Sequence, residues 1–545
     1  MALLERSPRV ATSEPSSRDV TRLLRRVAIA VPLVWLPIVL LWSGSPFGLT
    51  FDDAFYYAEI ARNLVHGHGS TFDQLSTTNG YHPLWMGLSV LVAATGLTGE
   101  AAMRTALALQ VVLYGGALWI MAGLVGRAVG GWPRLTASPG PVRRHASLIV
   151  AAAFGLVAVN PFVVKTFVSG LESGVTVALY AALLAMVDRA DGRLLDHGGR
   201  RWRLLLGTLL ALAFLGRTDA VLLVGCVAAW AVLTTPPTDD RRWDRLAEVL
   251  AIPSVVIGSY LLVNLVLFDG PLQVSGVVKR LPLTPGRLAA MAAAIGIAAV
   301  VGDRTRRLAL HPLDHAGRFP RVVKLLARTG WFAAFCVLVS AYYVVMSAQQ
   351  WLWYFTPVAV YLALLLVLLV ADFAESGIVE GNLRPIAAIL LVPLVLALGF
   401  QASQFTDPHV RSIQEANRDA GRWVSANLPD DAVLASWDAG VLGAFADQRV
   451  VNLDGVVNSY DYLDAMRGGT SGDFLRARDV QYVVNHGAIV DGEDPVLRDL
   501  VAEIFGEGTA GGLELVQTFP FSYSGTTTGT GPASEHMAVF VYRLP

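Results

Sequence analysis

The chain is poor in cysteine and poor in charge, and each shortage closes off a class of protein. Only two cysteines, Cys226 and Cys336, occur among 545 residues, both inside apolar runs. Neither a disulfide framework nor a cysteine-based zinc cluster can be built from them. Charged residues make up 16% of the chain and the formal net charge is −1, so no basic field exists of the kind that gathers nucleic acid. A glycine-rich phosphate cradle is also missing. The Gly- and Thr-rich stretch FSYSGTTTGTGPASEH has neither the GxGxxG spacing nor a strand–loop–helix setting, and reads as a loop.

What the chain has is apolar residues, 54% of the total, with a mean hydropathy of +0.52. A bilayer crossing takes about 20 apolar residues. Candidate runs fall near 27 to 43, 101 to 126, 145 to 160, 171 to 188, 204 to 216, 218 to 234, 246 to 267, 287 to 302, 330 to 347, 352 to 372 and 384 to 402. The expected fold class is therefore a polytopic α-helical membrane protein of about eleven spans. The shorter run from Pro83 to Ala94 reads as interfacial or re-entrant. The Leu204 to Trp230 stretch is expected to be two helices, since one long helix would invert everything after it.

Lys and Arg collect in cytoplasmic loops. Here they concentrate in 127 to 144, 189 to 203, 235 to 245 and 303 to 328, and in the segment 1–26 with Arg18, Arg22, Arg25 and Arg26. The expected division is a cytoplasmic segment 1–26, a membrane module 27–404 whose first outer loop is 44–82, and an extracytoplasmic α/β domain 405–545. In that last part, short apolar runs VLASW, RVVNLD, QYVVN and AVFVYRL follow a helix-like stretch ending at Leu428. The expected location is a bacterial-type cytoplasmic membrane, with the N-terminus inside.

The first outer loop carries the strongest functional signal. Asp52, Tyr56, Glu59 and Asn63 recur at helical spacing on one polar face, and Tyr57, Ile60, Ala61 and Leu64 make an apolar one. Such a helix is expected to lie along a membrane surface. A glycine-rich loop with His66, His68 and His82 follows. An enzyme that deprotonates a hydroxyl at a membrane surface needs a fixed carboxylate, and Asp52 or Asp53 is a candidate. Either aspartate is equally suited to capping the helix.

Later outer loops add Glu172, the pair Arg217 and Asp219, the pair Lys279 and Arg280, and Tyr354. Transporters place ionisable groups near the bilayer midplane; here most of those outside the basic loops gather at one face, the acidic connector from Asp372 to Arg384 being the chief exception. A lipid-phosphate sugar donor requires a cation for its phosphate, a carboxylate for the attacking hydroxyl and an apolar groove for its tail. Lys279 and Arg280 suit the first need, or simply snorkel at a span end. Arg217 and Asp219 also fit a local ion pair, Glu172 a helix cap, and Trp351, Trp353 and Tyr354 an interfacial aromatic belt. No particular cofactor is indicated, and a divalent metal stays open, although the three histidines have no recognised ligand spacing.

The string DDAFYYAEIARNL, followed by GHG, TFD and TNGYHPLW, resembles the first extracytoplasmic loop of GT-C glycosyltransferases, above all bacterial cell-wall arabinofuranosyltransferases. SGLESG, GRTDAVLL, FDGPLQVSGVVKR, WYFTP and RWVSANLPDDAVLASWDAGVLGAFADQRVVNLDGVVN continue that resemblance in order. It implies inverting transfer of a sugar from a polyprenyl-phosphate donor to a glycan, lipid or protein acceptor. It also implies that the base is Asp52 or Asp53, and that Lys279 with Arg280 holds the phosphate. From the outer-loop positions themselves, His82, Glu172, Arg217, Asp219 and Tyr354 are further candidate substrate contacts. Two departures bear on the sugar and acceptor: Thr77, Thr78 and Asn79 stand where such loops carry a glutamate before GYTN, and Trp353 stands where an arginine precedes the tyrosine. The competing readings are a carrier or flippase for the lipid-linked sugar, and a noncatalytic scaffold.

Overall fold

The computed structural model describes residues 17–41, 46–130, 146–310, 319–376, 412–489, 494–506, 512–521 and 537–545, with isolated positions elsewhere. The expected span 384–402 and the Gly/Thr-rich stretch 522–536 lie largely or wholly outside the described residues.

Among the described residues the membrane module is built of helices joined by loops. Its helices are α1 (Ser17–Leu41), α2 (Asp53–Val65), α3 (Pro83–Ala93), α4 (Gly99–Gly130), α5 (Ala146–Val159), α6 (Pro161–Phe167) and α7 (Ser173–Arg189). There follow α8 (Arg200–Gly216), α9 (Val221–Thr234), α10 (Arg242–Phe268), α11 (Val274–Val278), α12 (Pro285–Leu310), α13 (Pro320–Met346) and α14 (Thr356–Ser376). Ten of the eleven expected apolar runs thus correspond to helices. Six helices among the described residues are long and apolar enough to cross a membrane: Arg18–Leu41, Gly99–Val129, Arg242–Phe268, Pro285–Leu308, Pro320–Met346 and Leu352–Ala374. The protein is a multi-pass helical membrane protein with a C-terminal mixed α/β domain.

The break between α8 and α9 is real. Arg217 leaves the helix with extended backbone, φ −153° and ψ 122°, and a single 3-10 turn restarts the chain. The lipid-facing character of α10 and α12 shows in their exposed side chains, Val255, Leu262, Val266, Ile295 and Val300 among them. Basic residues at the other end of the bundle are tied down by acids. Arg127 and Arg328 share Asp188, and Arg203 holds Glu248 at 2.6 Å. Asp372, an acid inside an apolar run, is fully buried and receives Arg321 at 2.9 Å, which removes the cost of an unpaired charge there.

The C-terminal domain opens with α15 (Ile413–Asn427), started by a capping box in which Ser412 and Glu415 satisfy each other's backbone N–H. Strands β1 (Val433–Ser436), β2 (Arg449–Asn452), β3 (Val480–Ala488), β4 (Glu514–Phe521) and β5 (Met537–Arg543) form one sheet of order β2-β1-β3-β5-β4. The first three pair in parallel, and β5 runs antiparallel to both its neighbours, β3 and β4. Helices α16 (Ala439–Phe445), α17 (Tyr460–Gly468), α18 (Ser471–Arg476) and α19 (Pro495–Phe505) connect them. Four strands fall on the four expected apolar runs. The fifth, β4, is an edge strand with alternating half-buried residues and a proline, Pro520, a composition that hides an edge strand from hydropathy.

One local expectation fails. Helix α2 does not lie along a surface: Tyr56, Glu59 and Asn63 are as buried as Ile60 and Ala61. The polar face is covered from within and from the C-terminal domain. Asn63 donates to the Thr71 and Phe72 carbonyls at 2.9 and 3.2 Å, and Asn452 donates to the Tyr56 hydroxyl at 3.1 Å. A helix wedged between two bodies needs hydrogen-bonding groups on a face that spacing alone assigns to solvent.

Candidate active site

The doubled aspartate straddles the start of α2, so its two side chains diverge. Asp52 is buried and its carboxylate accepts the backbone N–H groups of Gly440 and Val441, each at 2.8 Å. It makes no side-chain cap on its own helix. Burial, reinforced by Asp438, raises the Asp52 carboxyl well above its usual range. Asp53 turns the other way, into a cavity of about 410 Å³. Its Oδ2 lies 3.7 Å from Lys279 Nζ. Burial lifts the Asp53 carboxyl above its ordinary value against the pull of Lys279, with Asp438 and Glu172 adding to the rise.

Lys279 sits just past α11, a one-turn helix between α10 and α12. The segment is pinned against the end of α13, since Leu281 donates to the Met346 carbonyl and Ala348 to the Lys279 carbonyl, both at 2.8 Å. Burial opposes the charge of Lys279, but Asp53, Tyr354 and Asp454 together hold it above the ordinary lysine range. Arg280 also lines the cavity and is exposed.

Behind this pair lies a buried polar network. Arg217, 1% exposed, gives Nη1 to Glu172, and Nε and Nη2 to Asp219 Oδ2 at 3.0 and 2.7 Å. Tyr343 donates its hydroxyl to Asp219 at 2.6 Å and accepts from Arg217 at 2.8 Å. The other oxygen of Glu172 receives the Tyr57 hydroxyl at 3.2 Å, and that hydroxyl accepts the His82 backbone N–H at 3.1 Å. His82 Nδ1 accepts from Thr218 N at 3.4 Å, which leaves the proton on Nε2, 3.6 Å from Glu172. Burial lowers the affinity of His82 for a second proton. Tyr354 stacks on Tyr343, ring centres 4.1 Å apart, with the Arg217 guanidinium 5.6 Å from its own ring.

The cavity therefore brings together Asp53, Lys279, Arg280, His82, Glu172, Arg217, Asp219 and Tyr354. Asp52 is not among its lining, and His66 and His68 are exposed on the far end of α2. Glu172 caps nothing: it is a partner of Arg217, so the ion pair expected within residues 217 to 219 extends to a third charge. Trp353 and Tyr354 are buried, whereas Trp351 is 41% exposed. Sequence reasoning missed Tyr57 and Tyr343 in this network and Gln273, which lines the cavity. Tyr57 follows Asp53 by one helical turn, a spacing that places both toward the cavity; Tyr343 and Gln273 had no such signal. Among the described residues no group of three or more His, Cys, Asp or Glu side chains is placed to hold a metal ion.

The opposite wall is apolar, built by Phe214, Val221, Leu222, Ile257, Leu261 and Leu272 from α8, α9, α10 and the loop after α10. The C-terminal domain closes the cavity with Val456 and Val457. It sits very close: a Cβ on Gly80 would stand 2.0 Å from the Val456 carbonyl oxygen, and one on Gly440 would stand 2.3 Å from that of Asp52.

Residues 407–540 match a family model described as a domain of unknown function (DUF8728), coincident with the C-terminal α/β domain. The comparison with curated proteins gave no match. Among solved structures, the chain is similar to the crystal structure of the Archaeoglobus fulgidus oligosaccharyltransferase in complex with zinc and sulfate. The identity is 14% and the TM-score 0.46, over 93% of this chain and 72% of that one.

Proposed function

We propose that the protein is an inverting GT-C-type glycosyltransferase, moving a sugar from a polyprenyl-phosphate donor to an acceptor hydroxyl on the outer face of the membrane. The observation that carries this reading is the Lys279–Asp53 pair, 3.7 Å apart, at the polar end of a cavity whose other wall is apolar and formed by lipid-facing helices. A lipid tail suits that wall, a phosphate suits Lys279 and Arg280, and the reacting hydroxyl suits Asp53.

In this mechanism the acceptor oxygen attacks the anomeric carbon from the face opposite the phosphate. Its proton passes to Asp53 and the C–O bond to phosphate breaks, leaving polyprenyl phosphate beside Lys279. Lys279 is paired with a carboxylate before the donor arrives, so it is preorganised rather than recruited. The network of Arg217, Glu172, Asp219 and Tyr343 fixes the floor of the cavity. Cell-envelope acceptors, eleven spans and an extracytoplasmic C-terminal domain belong to the same reading, in which the basic loops of the sequence face the cytoplasm.

Purified protein incubated with a panel of radiolabelled polyprenyl-phosphate sugars and candidate glycan, lipid and protein acceptors tests it. Labelled acceptor together with free polyprenyl phosphate is the expected result. Movement of intact donor across vesicles without label transfer would instead identify a carrier, and no dependence on any lipid-linked sugar would leave the scaffold.

A further inference from the structure

The chain that carries Lys279 has little regular structure of its own. It leaves α10 at Asp269 in left-handed backbone, φ 58°, and makes a single helical turn, α11, before the lysine. Yet Leu272, Gln273, Ser275, Gly276, Val277 and Lys279 all line the cavity. One turn of helix does not hold itself in place, so the position of Lys279 is set by what grips the segment from outside.

Two of those grips meet on one atom. The Leu272 carbonyl oxygen accepts the Asn79 amide at 2.9 Å and the Tyr460 hydroxyl at 2.6 Å, which occupies both of its lone pairs. Asn79 belongs to the first outer loop and Tyr460 to the first turn of α17 in the C-terminal domain. Asn79 is buried and uses its whole side chain. Its second amide hydrogen goes to Asn264 Oδ1 on α10 at 3.0 Å, and its own Oδ1 accepts the Val274 N–H at 2.9 Å. Asn264 donates onward to the Tyr260 carbonyl at 2.9 Å, which fixes the way both amides face. Val274 is the first residue of α11, so the loop amide holds the start of the turn that ends in Lys279. The Tyr460 ring lies against Gly270, where a Cβ would stand 2.2 Å from its Cζ.

We propose that Asn79 and Tyr460 are positioning residues for Lys279, and that the C-terminal domain, through Tyr460, latches the lipid-phosphate site. This rests on the transferase reading above and adds to it the groups that hold the cation in place. Neither side chain lines the cavity; each acts through the backbone of Leu272 or Val274. The far end of the segment is already tied to α13 through Leu281 and Ala348, so loss of the near-end grips lets the turn pivot about that end. A cation moved by about an ångström no longer matches the phosphate it serves, and the consequence falls on the donor rather than the acceptor.

The test uses Y460F and N79A, each alone and with K279M. Y460F keeps the ring on Gly270 and removes one hydrogen bond, whereas N79A removes three. Y460F should weaken direct binding of polyprenyl phosphate to the purified protein roughly three- to tenfold, and N79A tenfold or more. Donor kcat/KM should fall by at least as much while the acceptor KM stays put. In the K279M background Y460F should add little, because the group it positions is gone; general loosening of the fold would cost the same factor in both backgrounds. Y460F is the mild variant and keeps the question open to decision if N79A does not fold. Polyprenyl phosphate binding unchanged in Y460F, or a Y460F loss of undiminished size in K279M, would overturn the role while wild-type transfer stands. Failure of the transferase reading looks different: wild type then binds polyprenyl phosphate, and Y460F binds it more weakly, but no sugar passes to any acceptor. A wild-type protein without affinity for polyprenyl phosphate would end both conclusions.

Discussion

Gly440 donates its backbone N–H to the Asp52 carboxylate at 2.8 Å across 388 positions of sequence, while the neighbouring Asp53 looks at Lys279. One aspartate therefore fastens the C-terminal domain and the next faces the cavity. Asp53→Asn should lower transfer on the order of a hundredfold with thermal stability kept. Asp52→Asn should do the reverse. An amide has one acceptor oxygen for two backbone donors, so one N–H is stranded, at a cost of about 1–3 kcal/mol. Melting temperature and turnover measured on both variants decide it, and equal effects of the two on rate would remove the division of roles.

Lys279 is expected to act on the donor rather than on the acceptor. Replacing it by Met keeps much of the stem and deletes the charge, so donor kcat/KM should drop about a hundredfold while the acceptor KM changes little. Arg at this position should retain part of the activity, because a guanidinium still meets phosphate. Titration of each substrate separately checks the split.

The apolar runs showed where the helices are, because span-length hydrophobicity is a local property. They did not show how α2 is used. Its polar face, spaced as if for solvent, is covered by Asn452 and by its own loop, a consequence of contacts nearly four hundred residues away. For the same reason the choice between Asp52 and Asp53 was not legible: both occupy the first turn, and only the position of α16 separates them. Lys279, Arg217 and Glu172 were legible because charges are rare among apolar segments.

The buried network offers a stability test distinct from chemistry. Arg217 is 1% exposed and answers two carboxylates. Arg217→Met should leave Glu172 and Asp219 buried without their cation and cost about 3–5 kcal/mol. Arg217→Lys should not rescue it, because one ammonium cannot reproduce the fork that reaches Glu172, Asp219 and Tyr343 together. Chemical denaturation in detergent measures both variants; full recovery by lysine would show that charge alone suffices.

Asp454 links stability to pH with a definite sign. Its folded-state carboxyl is pushed up to about 7, above the ordinary value near 3.9, so the folded protein holds a proton that the unfolded chain has released. This contribution is fully present at acid pH and is lost as pH rises toward and through about 7. Above that, the ionised Asp454 works against the docked domain. Asp454→Asn is neutral at every pH and should therefore be more stable than wild type in mildly alkaline solution, by about 1–3 kcal/mol after allowing for solvent at the cavity. Below the ordinary carboxyl range the two should converge. Thermal melts across that interval read the difference directly. A variant less stable than wild type at alkaline pH would mean that the charged carboxylate is needed to hold the turn from Leu453 to Val457, and that Lys279 stabilises it more than burial opposes it.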